Sequence, residues 1–265
     1  MDKFFRYGNG SIHYTEQGNG EVIVLIHGYL ESSGIWDSFA GKLSEKFRVI
    51  AIDLPGHGKS DVFGEIHTME FMALVIRDLA LDLRIDKLFL AGHSLGGYVA
   101  LAFVENYPEL LKGYCLFHSQ PFKDFPEAVN KREKEIKFVL AGKKDLMYPD
   151  NVSKMFAESN LGKFSDALER SRQIAAEIPG EGIVAVLKGM ISRPSRLSVM
   201  EAGRVPCLWI LGAMDNYIDC KKVQEKVSLP ENAKVAVLKG SGHLGFIEEE
   251  EHSIEILINF LKGLN

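Results

Sequence analysis

Apolar residues along this chain fall into short unbroken runs, separated by stretches in which they recur every three or four positions. The runs at 22–26, 49–54, 88–91 and 113–117 have the length of strands, and continuous apolarity marks strands covered on both faces. Between them, 35–47, 68–83 and 95–106 carry the spacing of amphipathic helices. Strand and helix therefore alternate as βαβ units, which predicts a mainly parallel sheet flanked by helices. The first segment differs. Residues 4–7 and 11–15 flank Gly8-Asn9-Gly10, a turn signal that predicts a β-hairpin. The alternation also breaks after residue 118. From about 119 to 196 the pattern is helical almost throughout, and Pro121, Pro126, Pro149, Pro179 and Pro194 divide it into about four short helices. Strand runs return at 206–211 and 233–238, and an amphipathic helix over 246–261 closes the chain. The expected organisation is an α/β core of residues 1–118 and 196–265, with 119–195 inserted as a helical lid. No internal repeat or low-complexity tract is visible.

Composition narrows the function classes. At 265 residues, 46% hydrophobic and 25% charged, the chain can bury a large core, which excludes disorder and collagen-like repetition. Basic residues number 31 against 36 acidic ones, so the basic surplus of a nucleic-acid binder is missing. Apolar runs stay well short of the roughly 20 residues of a membrane span. The N-terminus turns polar before a signal-peptide core of about 7–15 residues can form, so a cytoplasmic protein without a membrane anchor is expected. Cys115 and Cys207 lie in apolar runs and are expected reduced and packed, and Cys220, beside Asp219, is expected to be a solvated bystander. The His and Cys spacing offers no zinc-like cluster.

The chemistry concentrates in Gly92-His93-Ser94-Leu95-Gly96, which joins an apolar strand directly to a helical stretch. A serine hydroxyl is a weak nucleophile. It needs exposure, a nearby base, and backbone N–H groups to hold a developing oxyanion. A tight strand-to-helix turn supplies the exposure and the helix N-terminus, with glycines where side chains would crowd it. His243 follows the strand run 233–238 and Asp215 follows the run 206–211, so both sit at C-terminal strand ends, where open α/β sheets place their ligands. Ser94, Asp215 and His243 stand in the chain order of this serine-elbow architecture. Asp219 is a rival carboxylate, and His252 a rival base that falls inside the last helix. His13, His57, His67, His93 and His118 have no assigned catalytic task.

On these residues, together with His27-Gly28-Tyr29, Trp36 and Asp53-Leu54-Pro55-Gly56-His57-Gly58-Lys59-Ser60, the sequence resembles the α/β-hydrolase fold family over nearly its whole length. The likeness is to its small cap-bearing members: esterases, lactonases and carbon–carbon bond hydrolases. The resemblance implies a mainly parallel eight-stranded sheet, a helical cap over the site, and an oxyanion hole from the backbone N–H groups of Tyr29 and Leu95. Dehalogenating and epoxide-opening relatives carry aspartate at the elbow, whereas this chain carries Ser94. Phe122, Phe125, Phe138, Met147, Tyr148, Met155, Phe156 and Phe164 offer apolar side chains for a cap pocket, although most are expected to serve packing. The cap's acidic and basic residues are balanced and announce no charged substrate. The resulting expectation is a serine hydrolase of small carboxylic esters or lactones, working through Ser94, His243 and Asp215 with no metal or organic cofactor. A carbon–carbon bond hydrolase using the same residues stays open, as does a non-catalytic receptor with this fold.

Overall fold

The computed structural model describes residues 2–264. Eight strands form one sheet in the order β1-β2-β4-β3-β5-β6-β7-β8. The N-terminal hairpin pairs β1 (Asp2–Tyr7) with β2 (Gly10–Gln17), and β2 in turn runs antiparallel to β4 (Arg48–Ile52). Gly8 turns the hairpin at φ 56°, in the left-handed region its missing Cβ permits. All remaining pairings are parallel, through β3 (Val22–Ile26), β5 (Leu88–His93), β6 (Leu111–Phe117), β7 (Cys207–Gly212) and β8 (Ala233–Leu238). Every residue of β5 and β7 is buried, as continuous apolar runs require when helices cover both faces.

The chain steps from β3 to β4 on one side and then crosses to β5 on the other. The loops leaving β3 and β5 therefore diverge and open a crevice at the C-terminal edge, the place where such sheets bind ligands. Two helices stand near it. One is α2 (Met69–Asp82), whose first turn is capped by the Thr68 hydroxyl accepting from Phe71 N–H. The other is α3 (Leu95–Asn106), buried along almost its whole circumference beneath the crevice.

Two helical expectations need correction. The stretch 35–47 is a 3-10 turn (Ser33–Trp36) followed by a short α1 (Asp37–Leu43), because Asp53 fixes the Ser33 N–H at 2.6 Å and tightens the entry. The C-terminal helix is two, α10 (Gly245–Glu248) and α11 (Glu250–Lys262). Glu249 breaks them at φ −133°, ψ 53°, and its carboxylate accepts from Gly240 N–H at 2.8 Å.

Between β6 and β7 the chain is helical: α4 (Pro126–Leu140), α5 (Tyr148–Ser153), α6 (Ser165–Glu177), α7 (Gly180–Ser192) and α8 (Leu197–Glu201). Pro126 and Pro149 occupy first turns and Pro179 precedes α7, so the prolines open helices, where a missing N–H costs nothing. The segment leaves and returns at one point, since Arg196 N–H donates to Pro121 O at 2.7 Å. A short α9 (Cys220–Gln224) follows β7. Cys115 and Cys207 are buried free thiols and Cys220 is half-buried.

Candidate active site

β5 feeds α3 through one residue, Ser94, at φ 47°, ψ −108°. A side chain is strained there, at a cost of order 1–3 kcal/mol, so the surroundings must hold it. Ser94 N–H donates to Phe117 O at 2.9 Å, and Ser94 O accepts from Ser119 Oγ at 2.7 Å. The flanking glycines are required by contact. A Cβ on Gly92 would meet Gly96 O at 2.2 Å, and one on Gly96 would meet Ile26 O at 2.3 Å.

The loop after β3 is set by two side chains. His27 Nε2 accepts from Leu54 N–H at 3.0 Å, which leaves the ring proton on Nδ1 to donate to Gly28 O at 2.8 Å. Carbonyl and N–H oppose each other across a trans peptide, so the Tyr29 N–H faces away from His27. Glu31, buried, accepts from Gly28 N–H at 2.5 Å and faces His93 Nδ1 at 2.9 Å. The other ring nitrogen of His93 lies 2.8 Å from His243 O. Both neighbours of this ring are acceptors. One buried imidazole thus ties together the β3 loop, the Ser94 turn and the loop carrying His243.

Asp215 and His243 meet at the ends of β7 and β8, with Asp215 Oδ2 2.7 Å from His243 Nδ1. Asp215 Oδ1 accepts from the N–H groups of Tyr217 (2.7 Å) and Ile218 (3.0 Å). Burial works against the Asp215 charge, but the rings of His243 and His118 outweigh it and hold the carboxyl well below its usual range. Burial likewise opposes a charged His243, and the field and hydrogen bond of Asp215 overcome that and raise its pKa above 6.5. Asp219, the rival, is exposed and caps α9 through Lys222 N–H at 3.1 Å; His252 is exposed on α11. The outer nitrogen of His243 and the Ser94 hydroxyl belong to residues lining one cavity of about 210 Å³ under the helical insertion. No hydrogen bond joins them among the described residues; hydroxyl–base contacts of this kind tighten when substrate binds.

A second imidazole stands on the same carboxylate, and sequence reasoning left it without a task. His118 Nδ1 lies 3.5 Å from Asp215 Oδ2. Its Nε2 accepts from Gly245 N–H at 3.1 Å, which places the proton on Nδ1, facing Asp215. Complete burial pushes the His118 pKa down to about 4, so the ring is a neutral donor. Among the described residues, His118, Asp215 and His243 are one trio whose donor atoms come within 4.8 Å of one another. With the Nδ1 proton of His243 bonded to the carboxylate and that of His118 facing it at 3.5 Å, both nitrogens turned to Asp215 carry protons and the trio fits a metal ion poorly.

The family model for the alpha/beta hydrolase fold matches residues 21–250. The chain belongs to the α/β-hydrolase fold family. A pimeloyl-[acyl-carrier protein] methyl ester esterase from Yersinia enterocolitica is 27% identical to this hydrolase, over 96% of this chain and 98% of that one. Among solved structures, a thermophilic esterase from Thermogutta terrifontis superposes with a TM-score of 0.91 at 26% identity, covering 100% and 99% of the two chains. The enol-lactonase of Burkholderia xenovorans LB400 shares the fold, with a TM-score of 0.87 at 18% identity over 98% and 100%. Among the described residues of this hydrolase no helix is long and apolar enough to cross a membrane.

The cavity lining departs from the expected apolar cap pocket. Of the eight cap side chains singled out in the sequence, only Met155 reaches it. Phe156 is wholly buried elsewhere, and Phe125 and Phe138 are exposed. The insertion contributes Asp124, Lys131, Arg132, Glu135 and Asn151, alongside Ala128 and Met190.

Proposed function

We propose that this hydrolase cleaves small carboxylic esters or lactones by acyl transfer through Ser94, His243 and Asp215, with residues 119–195 as the cap roofing the site. The observation carrying this reading is that an imidazole fixed by a buried carboxylate opens onto the same cavity as the strained serine at the end of β5. Ser94 Oγ attacks the substrate carbonyl as His243 Nε2 takes its proton, and Asp215 stabilises the imidazolium. The negative oxygen is held by the N–H groups of Tyr29 and Leu95; the latter opens α3 and has no intrahelical acceptor. Collapse breaks the acyl C–O bond, and the alcohol leaves with the proton from His243. Water, deprotonated by the same ring, then attacks the acyl-serine and frees the acid. The ester-cleaving names of the Yersinia and Thermogutta proteins support the reaction class.

The test uses p-nitrophenyl acetate and a fluorophosphonate probe. Wild-type protein should be labelled at Ser94 and turn the ester over. Ser94→Ala should lose labelling and at least about a thousandfold in kcat, with its circular dichroism unchanged. Undiminished turnover in that variant removes Ser94 from the reaction.

A further inference from the structure

Helix α4 turns a polar stripe inward. Ala128, Lys131, Arg132 and Glu135 recur at the three- and four-residue spacing of one helix face, and all four line the cavity that Ser94 and His243 share. Charged side chains lining a partly enclosed cavity carry a desolvation cost that grows with burial and is recovered where a charge meets a partner.

The pairing is incomplete on the basic side. Asp124 is the one carboxylate between two guanidinium groups. Arg132 Nε donates to its Oδ2 at 2.6 Å, and Arg193 Nη2 donates to its Oδ1 at 2.9 Å. Arg193 also donates from Nη1 to Met190 O at 2.8 Å and lies over the Tyr98 ring, 3.8 Å from its guanidinium carbon, while its buried Nε has no hydrogen-bond partner among the described residues. Arg132 differs in lining the cavity, which Arg193 does not. Its Nε and Nη2 reach Asp124, while no hydrogen bond engages its Nη1 among the described residues. Lys131 and Glu135, 4.0 Å apart, offset each other, and Glu135 is further held by the Tyr29 hydroxyl and by Asn151, each at 3.3 Å. Three positive groups against two negative ones leave one positive charge, shared by the two guanidinium groups on Asp124, and Arg132 is the one of them that lines the cavity.

We propose that Arg132 receives a carboxylate of the substrate, so that the ester cleaved at Ser94 is an anionic one. The inference rests on the esterase reading above and adds the chemical class. A planar guanidinium already oriented by Asp124 is suited to a carboxylate oxygen pair, and binding there supplies the missing negative charge. The carboxylate belongs either to the acyl part, as in a half-ester of a dicarboxylic acid, or to the alcohol part, as in an acylated hydroxy acid. The competing account is that Arg132 only pins the two ends of the cap together through Asp124.

The experiment compares kcat/KM for monomethyl glutarate with dimethyl glutarate, and for acetoxyacetate with its methyl ester, in wild type, Arg132→Met and Arg132→Lys. Wild type should favour the anionic member of at least one pair tenfold or more, through KM. Arg132→Met should bring that ratio near one, and Arg132→Lys should keep part of it. Each ratio is internal to one variant, so a general loss of activity does not mimic it. A wild-type ratio at or below one in both pairs overturns the proposal, as does a ratio unchanged in Arg132→Met. Glutarate binding by calorimetry, in wild type and in Ser94→Ala, reads the subsite without turnover. If no ester is cleaved and Ser94 resists the fluorophosphonate while glutarate still binds, the esterase reading fails and the carboxylate site stands. Absent glutarate binding beside active ester cleavage sinks the carboxylate site alone.

Discussion

The ring of His118 contributes to the site through Asp215. Its Nδ1 proton faces the same carboxylate oxygen as His243, at 3.5 Å, and its neutrality lets it do so without repelling a protonated His243. Removing it leaves Asp215 with one imidazole donor fewer, so the carboxylate draws harder on His243 and raises its pKa further. If His243 is the base proposed above, it acts only when neutral, and the acid limb of the pH–rate profile should then move to higher pH. Phe at 118 keeps the stacking on Phe117 and most of the volume. His118→Phe is expected to shift the acid limb of kcat/KM upward by about half a pH unit, the size of a weak hydrogen bond to a charge. A purely structural ring would lower the melting temperature and kcat/KM at every pH while leaving the limb in place. Burial lowers the His243 pKa and Asp215, Glu31 and Glu248 raise it, while His118 bears on it through Asp215. Among these neighbours none but Asp215 was assigned a role from the sequence. A histidine or glutamate in an apolar context reads as packing until the fold brings its partner, and here His93 meets His243 across 150 positions of chain.

Among the loops that frame the sheet edge, the one after β4 owes its shape to Asp53. The buried carboxylate accepts from Ser33 N–H (2.6 Å), Lys59 N–H (2.8 Å) and the His13 ring (2.7 Å), so one side chain fastens the β4 loop to β2 and to the 3-10 turn. Burial raises its pKa, but the His13 hydrogen bond, the His27 ring and the backbone donors prevail and lower it to about 2. The sign follows from linkage. A carboxyl whose folded value is depressed contributes stability above its unfolded value near 3.9, and the contribution drains away as pH falls from about 4 through 2. Its size is about 2 kcal/mol at neutral pH. Asp53→Asn should therefore melt several degrees below wild type at pH 7, with the gap narrowing clearly at pH 3. A gap independent of pH would mean that the loop depends on the shape of Asp53 and not on its charge. The Asp-Leu-Pro-Gly segment was visible in sequence as part of a family signature, whereas the three donors around its carboxylate come from β2, the 3-10 turn and the loop itself.

Across the whole molecule, the parts read from sequence were those with local signals. Continuous apolar runs gave the strands, and the glycines around Ser94 marked the turn. Pro126, Pro149 and Pro179 marked where three of the inserted helices begin. The seat of the helical insertion on the core depends on distant contacts and carried no such signal. It centres on Glu248, a nearly buried residue whose carboxylate accepts from Ala157 N–H and Asn160 Nδ2 in the insertion and from Gly242 N–H beside His243, each at 2.8 Å. A Cβ on Gly242 would meet Ala157 N at 2.4 Å, and His243 N–H donates to Met155 O at 2.7 Å, so the backbones themselves touch here. Glu248→Ala leaves the buried N–H groups of Ala157 and Gly242 without acceptors, each worth about 1 kcal/mol or more, while Asn160 Nδ2 keeps Gly240 O at 2.7 Å. A loss of about 2 kcal/mol, or roughly 4–8 °C in Tm, should follow. Limited proteolysis distinguishes a clasp from a general core contact. If Glu248 seats the cap, early cleavage in the variant falls within 119–195 while the sheet resists, and kcat/KM drops because the loop before His243 loosens with it. Cleavage spread evenly over core and insertion would instead place Glu248 among the ordinary supports of α10, leaving the cap held by its backbone contacts alone.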